Sequence, residues 1–447
     1  MKKLLLLILV FCAAQAAFAQ KEYGIKFSSL INDELTLENA IRLGLENNTD
    51  FLTARQEIII AEQKVSEAKF MFFPQVSLQG TATWFHLDYP MVLPESVANR
   101  FILSDDLIRL TDDSYKNQFY GGGITATQYL YSGGRMSGAL KMARANLKQA
   151  QSKYDTVKNA VVLNIKKAFF NLQYAQEYAL LTEKATQKAT RYYKNSVFSP
   201  WERVQARAEW ARFTVAQHAA LHDLKQAELA MLVALNKELN SHVKVVGAFK
   251  PVQVDLDLPH LNLWSMEFRP ELKSAIYALE LDNLAIDLAL SRRYPDVILT
   301  GSYEQLGYDN LDAVNKQISL AVRLPFSYNI ANQSAQKKAE QRQSTLRRSA
   351  IEDKIHVQVA QAHAAMTFWQ TEVLTRQETF NDVSAQLTKA ERTPLSGLSP
   401  LRAAQAYLQT GTDYYQAIRN NLTAKAQLEW AIGKDLSCTQ KAFFYPF

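Results

Sequence analysis

The chain repeats itself, and the repeat constrains its fold more than any other feature. "FFPQVSLQGTATW" (Phe72–Trp84) returns as "RYPDVILTGSYEQ" (Arg293–Gln305). Pro74 and Pro295, Val76 and Val297, Leu78 and Leu299, and Gly80 and Gly301 are each 221 positions apart. Upstream, Phe51 and Ala54 match Leu272 and Ala275 at the same spacing. Downstream, "SVFSPWERVQA" (Ser196–Ala206) returns as "SGLSPLRAAQA" (Ser396–Ala406), 200 positions later. Self-similarity on this scale means one supersecondary plan built twice, with the two copies packed together. The divisions are a leader at 1–19, a first repeat at 20–247, a linker at 248–263, a second repeat at 264–435 and a tail at 436–447.

Each repeat reads as the same series. A helix of moderate length (roughly 38–72, then 264–293) ends before Pro74 or Pro295, since proline cannot continue a helix and pushes its predecessor to extended backbone. Two strands follow, at about 75–87 and 119–131, then at about 296–307 and 316–326. A helix of about 60 residues comes next (135–194, then 332–392), roughly 90 Å long. The Ser-Pro phrase interrupts, and a last helix runs 200–236, then 400–433. Only 15 Gly and 12 Pro in 447 residues leave little to break such helices. A seven-residue pattern from Leu140 and Ala143 through Val161 to Ala185 marks a coiled-coil seam of mostly small residues. Locally the phrase is a helix restart. Ser199 suits the N-cap, Pro200 the first helical position, and Glu202 completes a capping box. Ser399-Pro400 repeats the cap without the Glu.

The strands alternate with period two, which gives each one apolar and one polar face. Val76, Leu78 and Trp84 oppose Gln75, Ser77 and Gln79. Val297, Leu299 and Tyr303 oppose Thr300, Ser302 and Glu304, with Ile298 breaking the pattern. Leu320 and Val322 oppose Gln317 and Arg323. The second strand is rich in Gly and aromatics and alternates less cleanly. Strands of ten residues or more are long enough to cross a bilayer, and apolar-out with polar-in is the pattern of a water-filled transmembrane barrel. The first set is therefore expected to face lipid and the second the lumen. Four strands cannot enclose water. The chain is expected to oligomerise, three copies giving twelve strands.

The N-terminus agrees with export. Lys2 and Lys3 precede the apolar run Leu4–Phe11, and Ala17-Phe18-Ala19 offers a cleavage site before Gln20, the layout of a secretory signal peptide. Without it, 48 basic residues face 44 acidic ones, a balance that argues against nucleic acid. One cysteine, Cys438, remains, so no intrachain disulfide framework is expected. No later stretch has the ~20 apolar residues of a membrane helix, which leaves a barrel as the way into a bilayer.

The residues "LTLENAIRLGLENNTDF" (Leu35–Phe51), "AKFMFFPQVSLQG" (Ala68–Gly80) and "ATQYLYSGGR" (Ala126–Arg135) resemble the TolC-like outer-membrane efflux protein family. "FRPELKSA" (Phe268–Ala275), "YPDVILTGSY" (Tyr294–Tyr303), "SLAVRLPF" (Ser319–Phe326) and "LEWAIGK" (Leu428–Lys434) continue the likeness over the second half. The resemblance implies a mainly α fold with a transmembrane β-barrel: a homotrimer whose twelve-stranded barrel continues as a long coiled-coil helical tunnel. It implies an outer-membrane channel with a long periplasmic helical domain. The channel would be the passive exit duct of a tripartite efflux or type I secretion system. Implied partners are other copies of the chain, outer-membrane lipid, a periplasmic adaptor and an inner-membrane transporter of the RND, ABC or MFS type. No cofactor is implied. Family members place the helix–helix turns at the periplasmic tip, where adaptors dock. Here that means Val197, Phe198, Ser199, Pro200 and Trp201 in the first copy, and Gly397, Leu398, Ser399 and Pro400 in the second. Val197 stands where a glycine is usual. The stretch beyond the second turn, "PLRAAQAYL", lacks the carboxylates many members carry. Glu202 and Arg402 hold equivalent places and are candidates to pair at the tip.

No catalytic or metal constellation competes with this reading. His218 and His222 sit four apart, yet no HExxH and no third ligand accompany them, and there is no phosphate-binding Gly loop or GxSxG. The basic cluster "KKAEQRQSTLRR" (Lys337–Arg348) reads as a solvated helix face or a site for anionic lipid or a partner. The competing function is a soluble periplasmic coiled-coil adaptor or scaffold, which has no reason to carry four amphipathic strands.

Overall fold

The computed structural model describes residues 35–84, 118–238, 243–308, 311–324, 329–391 and 397–436. The expected signal segment, residues 88–117 of the long loop, strand residues 85–87 and 325–326, and the tail beyond 436 lie outside the described residues.

In chain order the first repeat holds α1 (Leu37–Asn47), α2 (Thr49–Phe70), β1 (Gln75–Trp84), β2 (Gln118–Tyr131), α3 (Arg135–Asn195) and α4 (Pro200–Ala234). The second holds α5 (Leu258–Phe268), α6 (Pro270–Ser291), β3 (Asp296–Tyr308), β4 (Leu311–Arg323), α7 (Ile330–Ala390) and α8 (Ser399–Ile432). The class is the one expected, mostly helical with four strands. Three details differ. Each leading helix is broken in two, α5 starts inside the stretch read as linker, and β4 begins at Leu311, five residues before its expected start.

The breaks have local causes. Asn48 is extended (φ −69°, ψ 122°), and its Oδ1 accepts from Phe51 N at 3.0 Å to cap α2. Arg269 is extended in the same way (φ −65°, ψ 119°) because Pro270 follows it. The two positions are 221 apart, the spacing of the duplicated prolines.

α3 and α7 are each 61 residues, about 90 Å of helix. The shorter helices lie end to end along them: α1, α2 and α4 on α3, and α5, α6 and α8 on α7. Where α1 meets the end of α4, a core forms on the middle of α3. It gathers Leu35, Ala40, Ile165, Phe169, Leu172, Met231, Leu235 and Val245. The second repeat rebuilds it with Leu261, Leu272, Ile355, Met366, Leu428 and Ile432. A short parallel bridge between Leu35 and Val245 ties two members of the first core together.

α3 also packs on α6 and α8 of the other repeat. It therefore buries more than the single seam read from the sequence. Ile165, Phe169, Leu172, Leu181 and Tyr192 are buried beside Ala143, Val161, Ala175 and Ala185. Gly411 lets α8 come close: a Cβ there would lie 2.7 Å from Leu181 and 2.9 Å from Phe380. Arg269 fastens the end of α8. It is 3% exposed, donates through Nη1 to the Trp430 and Ala431 carbonyls and through Nη2 to Gln358 Oε1, and stacks on Trp430. A cation over the last carbonyls of a helix satisfies orphan acceptors and complements the dipole. Lys166 of α3 reaches Glu429 of α8 at 2.6 Å, an ion pair between repeats with both side chains largely buried.

The strands form one antiparallel sheet in the order β1-β2-β3-β4. β2 with β3 joins the repeats. Gly133 (φ +59°) makes the turn into α3, where a Cβ would lie 2.8 Å from the Ser291 carbonyl. Arg135 pairs there with Asp296 at the start of β3. Among the described residues no helix is long and apolar enough to cross a membrane.

Candidate functional site

Two regions carry the expected functional residues: the sheet, and the far ends of the long helices.

The ladder registers sort the strand residues by face, because residues paired in an antiparallel sheet share a face. Ser77 pairs with Thr125, Thr125 with Ser302 and Ser302 with Gln317. Gln75 connects in the same way to Thr300, and Gln79 through Gly123 to Glu304. Arg323 pairs with Asp296 on this face too. The lumen candidates thus all lie together. A Cβ at Gly123 would lie 3.0 Å from Glu304 Cγ, so the glycine leaves room for that carboxylate.

On the other face Val76 connects through Ala126 to Gly301 and Ile318, and Leu78 through Ile124 to Tyr303. Val297 pairs with Val322 and Leu299 with Leu320. Trp84 closes β1 in the same register. Val76, Leu78, Tyr303, Leu320 and Val322 are exposed in the single chain. A contiguous apolar face of this kind marks a membrane or partner surface. β2 alternated poorly in the sequence because its register shifts between Tyr129 and Tyr131, a bulge that returns Tyr131 to the Val297 side.

At the opposite end the two Ser-Pro turns lie side by side. Gly397, at φ +63°, donates from its N–H to the Val197 carbonyl at 3.3 Å. Behind them a core of Ala185, Tyr192, Ala206, Phe213, Leu387 and Leu401 takes in Phe198 and Leu398. Tyr193 stacks on Trp210 at 5.8 Å, and Arg207 lies over the Trp210 ring. Val197 (81%) and Trp201 (83%) instead point into solvent. The tip residues expected to dock a partner thus divide into a stapled pair and an exposed pair.

The restart of α4 is a complete capping box. Ser199 Oγ accepts from Glu202 N, and Ser199 N donates to Glu202 Oε2 at 2.9 Å. These hydrogen bonds hold the Glu202 carboxyl below its ordinary range, the backbone bond foremost. The expected pairing of Glu202 with Arg402 is not formed, because the carboxylate is already engaged in its own helix start. α8 also departs from expectation. Leu398, not Ser399, is its N-cap, with no side-chain cap, and Ser399 and Pro400 are helical. Gly397 turns the chain into the helix one residue early, which puts Leu401, not Arg402, at the third helical position where a capping-box Glu would stand.

The polar cluster of the tip was not foreseen. Tyr192 Oη and Lys188 Nζ both donate to Glu391 Oε1, tying the end of α3 to the end of α7. The signal was present in Glu391, a carboxylate at a helix C-terminus where the dipole disfavours it. Its partners are about 200 residues away and could not be read from spacing. His218 and His222 are exposed on α4, and the described residues hold no group of His, Cys, Asp and Glu arranged for a metal.

Residues 40–237 match the sequence profile of the family described as outer membrane efflux protein. No curated protein sequence matches the chain. The fold matches the Campylobacter jejuni CmeC outer membrane channel with a TM-score of 0.74 at 15% identity, over 95% of this chain and 96% of that one. It matches the open state of the Neisseria gonorrhoeae MtrE outer membrane channel with 0.71 at 16%, over 93% and 98%. It matches CusC, solved in a study of transmembrane channel formation, with 0.71 at 17%, over 93% and 96%. The first repeat thus resembles the outer membrane efflux protein family in sequence, and nearly the whole chain shares the fold of these outer membrane channels.

Proposed function

We propose that the chain is one protomer of an outer-membrane exit duct, a homotrimer that conducts solutes passively from periplasm to exterior. The observation that carries this is the sheet with its two faces. An exposed apolar face opposite a polar one, on strands of 10 to 14 residues, suits lipid outside and water inside. Gln75, Ser77, Gln79, Thr300, Ser302, Glu304, Gln317 and Arg323 then line the lumen. Val76, Leu78, Trp84, Val297, Leu299, Tyr303, Leu320 and Val322 meet lipid. The free edges of β1 and β4 pair with neighbouring copies and leave no open edge in the bilayer.

The helical hairpins then extend into the periplasm, with the Ser-Pro turns at the far end. Val197 and Trp201 are the surface on which a periplasmic adaptor docks, and through it an inner-membrane transporter.

Cysteine accessibility in the native envelope tests the duct. Ser77→Cys and Ser302→Cys should react with a water-soluble maleimide, and Val76→Cys and Leu320→Cys should not. Equal labelling of both sets, or recovery of the chain in the soluble periplasmic fraction, contradicts the proposal and favours a soluble scaffold.

A further inference from the structure

All four helix–strand junctions fall at one end of the sheet: α2 to β1, β2 to α3, α6 to β3, and β4 to α7. Exposed apolar side chains ring this level, among them Phe70, Phe72, Phe73, Tyr131, Tyr294 and Leu324. Aromatic and apolar side chains gathered at a strand end mark the boundary between hydrocarbon and headgroups.

Positive charge gathers just below. The fifteen residues on the helix side of each strand end (60–74, 132–146, 281–295 and 324–338) hold nine Lys and Arg against four Asp and Glu. That net of +5 exceeds the +4 that remains on the chain without the leader. The remainder of the protein is close to neutral, so this is a localised belt and not a generally basic surface. Lys69, Lys141, Arg144 and Lys338 are exposed and have no ion-pair partner among the described residues. The first turns of α3 and α7 carry no acidic residue, although the positive end of a helix dipole favours one. Lys141 lies six residues into α3 and Lys338 eight into α7, about 9 and 12 Å along the axis. Helical side chains lean toward the N-terminus, which in α3 and α7 is the sheet end. Long basic side chains can therefore reach back to the headgroup layer.

We infer that this belt binds the phosphate headgroups of acidic phospholipids in the periplasmic leaflet, and so sets the depth of the channel in the bilayer. The inference rests on the duct reading above, since a chain that does not insert has no leaflet beside the belt. Charge complementarity selects the ligand. Uncompensated cations at a boundary marked by aromatics meet phosphates whose own negative charge is not balanced by an amine.

The test uses the full-length trimer in nanodiscs of phosphatidylethanolamine and phosphatidylglycerol at 3:1, with retained lipid counted by native mass spectrometry. The wild type should enrich phosphatidylglycerol over the bulk ratio. The combined variant Lys69→Gln, Lys141→Gln, Arg144→Gln and Lys338→Gln should lose that enrichment by about tenfold. Lys184→Gln with Lys389→Gln, exposed lysines near the far end of the long helices, should leave it unchanged. An inserted trimer that takes both lipids at the bulk ratio overturns the inference and leaves the duct standing. So does a fourfold variant that shifts single-channel ion selectivity without changing lipid enrichment, for the belt then lines the duct. A chain that fails to insert overturns both.

Discussion

Tyr192 donates its hydroxyl to Glu391 Oε1 at 2.5 Å, and Lys188 reaches the same oxygen at 2.6 Å. The phenol is buried, so the bond is shielded from competing water. Tyr192→Phe should cost about 1.5–3 kcal/mol, as expected for a hydrogen bond to a charged acceptor. Glu391→Gln should loosen the tip further, because it leaves Lys188 unpaired. Limited proteolysis of the purified trimer would show both as faster cleavage near the Ser-Pro turns, with the barrel intact. Unchanged cleavage in Glu391→Gln would exclude a role for the cluster in holding the tip.

The exposed and stapled residues of the tip should behave differently. Trp201→Asp with Val197→Asp should abolish export through the duct while trimer yield and melting temperature stay at wild-type values. Phe198→Asp should lower the melting temperature as well, because it places a charge against the tip core. Export at wild-type level in the Trp201 and Val197 variant would move the docking surface elsewhere.

Tyrosines govern the alkaline limit. Burial raises Tyr174, Tyr178, Tyr407 and Tyr414 above the ordinary value of 10 and pushes Tyr415 up to about 12. Burial and the Glu391 hydrogen bond raise Tyr192 as well. A raised pKa means that the folded chain holds the proton more tightly than the unfolded chain. This contribution is complete below pH 10 and is lost as pH climbs toward 12. Absorbance at 295 nm and helical circular dichroism should therefore change together in that window. Glu391 works in the opposite direction. Burial alone would raise it, but the hydrogen bonds from Lys188 and Tyr192 outweigh that and hold it below 4.5, so its contribution fades as pH falls below 4.5. Ionisation of every tyrosine by pH 10 with helix retained would contradict the buried assignment.

Lys166 and Glu429 cross-link the repeats. Lys166→Met should destabilise by about 3 kcal/mol, since a buried carboxylate loses its nearer partner. Lys425, 3.6 Å from Glu429, offers partial compensation. Lys166→Met with Glu429→Leu should recover most of the loss, because a well-packed apolar pair replaces two desolvated charges. Thermal melting of the four members of this cycle checks the coupling, and simple additivity would show that the pair contributes nothing of its own.

The sequence by itself determined the duplicated plan, the strand faces and the capping box at Ser199. These depend on local periodicity, on proline and on cap chemistry, all of which act within a few residues. It also placed the two breaks in principle, since Asn48 and Arg269 share the 221-residue spacing, yet an asparagine cap and a pre-proline arginine read as ordinary helix. Tertiary structure alone decided which tip residues are stapled and which stand exposed, because Phe198 and Trp201 are equally apolar. It alone paired Lys166 with Glu429 and Tyr192 with Glu391, and buried Arg269 against the end of α8. Those contacts join residues 161 to 263 positions apart, and whether they form depends on how the helices of the second repeat pack against α3 and against one another, which no local pattern encodes.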